Sequence, residues 1–74
     1  MKKGPYKYDK LKGRIKEKCG TQECFAALMG MNRSTLSLKL NNDSEFSQGE
    51  ILKACTVLCI SAEKIPAYFF NEKV

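Results

Sequence analysis

The side chains that could do chemistry in this chain are four cysteines, thirteen lysines and arginines, and eight carboxylates; histidine is missing from the sequence. Without histidine there is no Ser–His or Cys–His nucleophile pair, no imidazole base and no HExxH zinc helix. The carboxylates are scattered, and no two groups are spaced for acid and base roles. The sequence therefore predicts that the protein is not an enzyme.

The cysteines are the best candidates for metal ligands, and they are spaced C-x4-C and C-x3-C. Four thiolates could hold zinc, although structural zinc sites usually place a cysteine pair in a turn. Cys19, Cys24, Cys55 and Cys59 fall at apolar positions of predicted helices, as expected of small core residues in a reducing compartment. We predict no metal, no cofactor and no disulfide.

Positive charge is concentrated at the start of the chain. Residues 1–18 carry eight basic and two acidic side chains, whereas residues 19–74 carry five basic and six acidic ones. Such a block indicates a polyanionic partner, and Lys10 and Lys16 are candidates for phosphate contacts. A solubilising face is the alternative. An anionic membrane surface fits less well, because the lysines do not oppose a broad apolar stripe.

Length and hydropathy restrict the architecture further. The 74 residues make one thin-cored domain, with a basic arm at 1–8 and an apolar tail at 65–74. No apolar run reaches the roughly 18 residues that span a bilayer, and no apolar stretch follows the N-terminal charges. We predict a cytoplasmic protein without a membrane partner or a small-molecule ligand.

The first predicted helix covers roughly residues 9–19, with Asp9 as its N-cap and Gly20 as its stop. Its apolar positions recur every four residues, at Leu11, Ile15 and Cys19.

Two further helices follow closely. Thr21 caps the second helix, which ends at Gly30, and Asn32 caps the third, over residues 33–40. The second helix is expected to bury Phe25, Leu28 and Met29.

A capping box marks the fourth helix, with Ser47 as N-cap, Glu50 as its partner, and Phe46 and Ile51 as a hydrophobic staple. Its predicted buried face is Ile51, Leu52, Cys55, Leu58 and Cys59. Ser61 is expected to cap one more turn, residues 62–65, which Pro66 ends. The sequence thus predicts an all-α bundle of four to five short helices.

The third helix has a distinct outer face. Its members are separated by three and four residues and begin at the helix N-terminus: Arg33, Ser34, Ser37 and Leu38. A helix-turn-helix protein presents such a face to the major groove of DNA. An ordinary helical hairpin with a polar face in water is the alternative.

Residues 21–37, TQECFAALMGMNRSTLS, resemble the helix-turn-helix of the lambda-repressor-like family, the Cro and repressor proteins of temperate phages. The segments YDKLKGRI (8–15) and IPAYFF (65–70) are similar to those of short, Cro-sized prophage regulators, so the likeness covers nearly the whole chain. The resemblance implies a lambda-repressor-like bundle with the helix-turn-helix at helices 2 and 3.

The resemblance also implies residue roles. Arg33, Ser34, Ser37 and Leu38 match base-reading positions, and Arg33 could bind a guanine in bidentate fashion. Gln22 and Asn41 match phosphate-contacting positions, to which Thr21, Asn32, Thr35 and Lys39 could add contacts.

Two positions depart from the family pattern. Lys39 replaces an aliphatic core residue, so its ammonium would reach a phosphate or the helix would be rotated. Asn42 replaces a common glycine and becomes a candidate for left-handed backbone.

These features predict a sequence-specific regulator of transcription that binds double-stranded operator DNA, a Cro-like repressor or an excisionase-like accessory factor. One helix reads only about four to five base pairs, so a homodimer on a palindrome is expected. Ile65, Tyr68, Phe69 and Phe70 form the candidate dimer interface, or else they close the protein's own core. The competing function is a protein-interaction module, such as an antitoxin or adaptor, whose charge is incidental.

Overall fold

A computed structural model describes residues 6–71 of the chain, which form a bundle of short helices. The elements are α1 (Asp9–Cys19), α2 (Gln22–Met29), α3 (Arg33–Leu40), α4 (Gln48–Leu58), a 3-10 turn (Ala62–Lys64) and α5 (Ile65–Phe69). The predicted all-α fold of four to five helices is confirmed. Residues 1–5 of the predicted arm (1–8) and residues 72–74 of the predicted tail (65–74) lie outside the described residues.

Side-chain caps define where three of the helices begin. The Thr21 hydroxyl accepts from the Cys24 N–H at 3.1 Å, and Asn32 Oδ1 accepts from the Thr35 N–H at 2.8 Å. Before α4, the Ser47 hydroxyl accepts from the Glu50 N–H at 3.1 Å while Glu50 Oε1 accepts from the Ser47 N–H at 2.9 Å. All three predicted caps are therefore confirmed.

Other boundary predictions were wrong. Tyr8 is the N-cap of α1 and makes no side-chain capping bond, so Asp9 is the first helical residue. There its carboxylate still favours the positive end of the helix dipole. Ser61 makes no capping bond either. Pro66 lies in the first turn of α5, where its missing N–H costs nothing, so it begins a helix rather than ending one.

The core is formed by one face of each longer helix. Its largest fully buried side chains are Phe25, Phe69, Leu11, Ile15, Leu36 and Leu58. Leu28 and Leu52, which were predicted to be buried, are 52% and 62% exposed. Leu52 lies about 100° around α4 from the buried Ile51, on the solvent side of the helix. In α2 the small Ala26 faces the core in place of Leu28, which allows a close approach between helices.

Aromatic rings connect the N-terminal segment to the end of the chain. The Phe46 ring meets Tyr8 and Phe69 edge-on, with centroid distances of 5.6 and 5.3 Å. Edge-to-face pairs of this kind add to the stabilisation from burial alone. Burial also raises the pKa of the Tyr8 phenol. The cluster holds α5 and the segment before α1 against the loop that precedes α4.

Candidate nucleic-acid interface

Helices α2 and α3 are consecutive and are separated by a tight turn. Gly30 ends α2 in left-handed backbone with φ 74°, a conformation that glycine adopts without steric cost. The Met31 N–H then donates to the Ala26 carbonyl at 3.0 Å, which closes the turn. Phe25 and Leu36 are fully buried and hold the two helices on the core. The orientation of α3 is therefore set by packing and by caps at its start and at the start of α2.

The predicted outer face of α3 is accessible. Arg33 and Ser34 are exposed, Ser37 is half-buried and Leu38 is 50% exposed. Leu36, Lys39 and Leu40 occupy the opposite, buried side of the helix. The face thus offers one guanidinium, two hydroxyls and one apolar side chain, which are groups that can bond base edges or contact a thymine methyl.

Several predicted phosphate-contacting groups surround this face. The Thr21 and Asn32 oxygens accept backbone N–H bonds as caps, which leaves the Thr21 O–H and the Asn32 Nδ2 able to donate. Gln22 and Thr35 are half-buried. Beyond α3, Asn41 Nδ2 donates to Ser37 Oγ at 3.4 Å, so this amide lies beside a predicted base-reading residue. Their roles at a phosphate stay predictions.

The position of Lys39 differs from the prediction that it contacts a phosphate. Its ammonium donates to the Glu45 carbonyl at 2.9 Å and lies 3.1 Å from Glu50 Oε1, and the residue is 8% exposed. The Ser47 N–H bond, aided by Lys39, outweighs partial burial and lowers the pKa of Glu50. The Lys39 stem does pack in the core as an aliphatic residue would. The predicted phosphate contact is wrong, because the charge is already neutralised inside the protein.

The lysines of α1 lie on different sides of the helix. Lys10 Nζ lies 5.1 Å from the Tyr68 ring centroid, on the side of α5. Lys12 is about 200° around α1 from Lys10 and lines a cleft beside Asn41, together with Lys7. Lys16 is exposed. The structure therefore favours Lys7 and Lys12 over Lys10 as neighbours of α3. The sequence locates the basic block, but the packing of α1 decides which lysines face α3.

The candidate dimer interface is also corrected in part. Phe69 is 1% exposed and belongs to the protein's own core, so it cannot contact a second copy. Phe70 is 46% exposed, and it lines a shallow apolar groove with Ile65, Leu52 and Ile51. Ile65 and Tyr68 are half-buried. The tail thus closes the core through Phe69, while Phe70 keeps an accessible apolar surface.

The cysteines divide into two classes. Cys55 is buried, which raises its thiol pKa, and Cys19 is half-buried, with a thiol pKa raised by burial and by Cys24 nearby. Cys24 and Cys59 are exposed, so the predicted core role was wrong for these two. Cys59 is the C-cap of α4 in left-handed backbone, φ 56°, which turns its side chain out of the helical stripe.

Two broader properties concern residues 6–71 only. Within this range no three side chains of the metal-ligating types Cys, Asp and Glu come together as a potential ion site. Across the same range, each helix is too short or too polar to cross a lipid bilayer.

Comparison with known proteins places the chain in a family. The family model described as "Protein of unknown function (DUF739)" matches residues 4–72, and the chain belongs to this family. The fold is similar to the solution structure of the modulator of repression (MOR) of the temperate bacteriophage TP901-1 from Lactococcus lactis. The two chains are 51% identical over 95% of each, with a TM-score of 0.81. Among curated proteins no match is found. The resemblance to phage regulators is thus supported, while the specific likeness to lambda-type repressors stays a prediction.

Proposed function

We propose that this protein is a phage regulator that binds double-stranded DNA through α3 and acts in the cytoplasm as a Cro-like repressor. The observation that carries the proposal is the accessible face of Arg33, Ser34, Ser37 and Leu38 on a helix whose other side is buried. The likeness to a phage modulator of repression supports a regulatory role. The proposal needs no catalytic step, cofactor, metal or small-molecule ligand.

Binding as a homodimer is part of the proposal. Two copies of α3 in successive major grooves would lie roughly 34 Å apart on a palindromic operator. The accessible apolar groove at Phe70, Ile65 and Leu52 supports a contact between copies. In this mechanism the bound dimer blocks access of polymerase to the promoter, and the protein's own concentration sets occupancy.

Selection from a randomised duplex library at about physiological salt tests the proposal. A retained palindrome with half-sites about one helical turn apart would support a dimeric, sequence-specific regulator. Sedimentation equilibrium with and without the selected duplex then measures the oligomeric state. Retention without a consensus would leave a non-specific basic binder, and failure to retain any duplex would contradict the proposal.

A second candidate function is binding to another regulatory protein, in particular a repressor. Leu38, half-exposed at the centre of the α3 face, supports it, as does the similar phage protein, a modulator of repression. Affinity capture from cells that carry the encoding phage, with wild type against Leu38→Asp, separates the two functions. Capture of one protein by wild type only, without DNA retention, would favour the second function.

A further inference from the structure

A polar cleft lies where the N-terminal segment crosses the end of α3. Lys7, Asp9 and Lys12 line one wall, and Leu40, Asn41 and Asn42 line the other. Lys7 is exposed and Lys12 half-buried, so both ammonium groups can reach the opening. The cleft therefore has two cations and one carboxylate on one side, and the amide of Asn41 on the other.

The wall that carries Lys7 is held in place by its backbone. Asn42 adopts left-handed backbone with φ 64°, and its side-chain amide bonds the Tyr6 main chain in both directions. The Tyr6 N–H donates to Asn42 Oδ1 at 3.3 Å, while Asn42 Nδ2 donates to the Tyr6 carbonyl. The Lys7 N–H donates to the Asn71 carbonyl at 2.7 Å. The Lys7 backbone is thus fastened both to the end of α3 and to the end of the described chain.

The cleft lies at one end of the groove-facing surface. α3 has eight residues, so its two ends are about 12 Å apart, a distance comparable to the major-groove width of about 12 Å. Arg33 begins this length and Asn41 follows its end, next to Ser37. If Arg33 meets base edges in the groove, the cleft meets the sugar-phosphate strand that borders it.

We infer that Lys7, Lys12 and Asn41 bind two adjacent backbone phosphates of the DNA strand that flanks the groove at the end of α3. The inference rests on the proposed function and names its anchoring site. Each lysine neutralises one phosphate, and the Asn41 amide donates a hydrogen bond. Asp9 weakens the site by its negative charge. Contacts of this kind fix the position of the protein on the duplex without reading sequence.

The salt dependence of duplex binding tests the site. Lys7→Gln/Lys12→Gln should make the negative slope of log K against log salt shallower by about 1.8, because each phosphate contact contributes about −0.9 to the slope. Lys18→Gln/Lys64→Gln is the matched control, with the same charge change at two exposed lysines that do not line the cleft, and should leave the slope nearly unchanged. Asp9→Asn should strengthen binding to all sequences. Fluorescence anisotropy with a labelled mixed-sequence duplex measures all three, and circular dichroism checks folding.

A second readout separates this site from DNA binding itself. Amide chemical shifts are followed while inorganic phosphate replaces chloride at constant ionic strength, for wild type and for Lys7→Gln/Lys12→Gln. If wild type binds duplex but the double variant keeps its slope, or the control loses as much, the site is wrong and DNA binding stands. A second outcome is that wild type binds no duplex, yet phosphate changes the amide chemical shifts of Lys7, Lys12 and Asn41 in wild type and not in the double variant. In that case the anion site stands and the proposed function fails. Absence of both effects overturns both.

Discussion

The Lys39 ammonium of α3 lies 3.1 Å from Glu50 Oε1, at the start of α4, and the same oxygen accepts the Ser47 N–H bond of the capping box. One carboxylate therefore serves both the beginning of α4 and the buried side of α3. Lys39 Nζ also lies 6.0 Å from the Phe46 ring centroid. The ion pair therefore fixes the orientation of the outer face of α3, because α3 cannot rotate without breaking the pair.

Lys39→Ala should destabilise the fold by about 2 kcal/mol, because it removes the packed stem and the bonds to Glu45 and Glu50. Lys39→Leu should lower the free energy of unfolding clearly less, since an apolar side chain of similar volume often replaces a buried ion pair at little cost in stability. Urea denaturation measures both. Equal losses would mean that the charge, rather than the stem, holds α3.

The pH dependence of stability should show the Glu50 contribution. Its folded pKa is lowered from 4.5 by the Ser47 N–H and by Lys39, so the stabilisation is complete above that value and is lost as pH falls through the lower folded pKa. The difference in unfolding free energy between wild type and Glu50→Gln should be largest near neutral pH and should shrink as pH falls through the lowered folded pKa. Glu63→Gln, at an exposed position, is the control. A difference that stays constant down to acid pH would contradict the assignment.

Replacement by alanine should have opposite effects on stability at Gly30 and at Gly13. Gly30 has φ 74°, and an added Cβ would come no closer than 3.7 Å to Lys53 Nζ, so the cost is that of left-handed backbone, about 1–2 kcal/mol. Gly13 lies inside α1, and a Cβ there meets nothing within 4 Å. Gly13→Ala should therefore stabilise by about 0.5–1 kcal/mol. Thermal unfolding should show Tm shifts of opposite sign; a lowered Tm for both would contradict the account of α1.

Local signals account for most of what the sequence predicts correctly. The caps at Thr21, Asn32 and Ser47 and the turn at Gly30 depend on neighbouring residues only, and the structure has each of them. The accessible face of α3 follows from periodicity, since its buried side is marked by Leu36 and Leu40.

The errors concern how helices cross, which periodicity does not specify. Leu28 and Ala26 both fit a buried face of α2, and the structure buries Ala26 and exposes Leu28. Lys10 and Lys12 belong to the same basic block, and the packing of α1 places them on different sides of the helix.

The sequence also does not predict the long-range side-chain hydrogen bonds. Arg14 donates to the carbonyls of Leu58 and Cys59, at 3.0 and 3.2 Å, and so caps the end of α4 from α1.

The two phenylalanines of the tail should behave differently. Phe69→Ala should lower the free energy of unfolding by about 3–5 kcal/mol, because the ring is fully buried. A loss of this size can unfold so small a domain, and Phe69→Leu is therefore included as the milder variant. Phe70→Ala should cost far less, since the ring is half-exposed and packs edge-on against Tyr6 at a centroid distance of 5.6 Å. Circular dichroism and sedimentation together measure folding and association. A folded monomer for Phe70→Ala, where wild type is dimeric, would support the apolar groove as the contact; an unfolded chain would contradict this division.

Arg33→Ala tests the groove face directly. Arg33 is the one charged residue of the four predicted base readers and is exposed at the start of α3, where a bidentate bond to guanine is worth about 1–3 kcal/mol of discrimination. On a duplex selected by wild type, affinity should fall about 5- to 150-fold, with one base position relaxed. Arg33→Lys keeps the charge but loses the bidentate geometry, so it should relax the same position while preserving more affinity. Binding to a mixed-sequence duplex should change little for either variant. Equal losses on the selected and mixed duplexes would mean that Arg33 contacts a phosphate and that another residue reads the base.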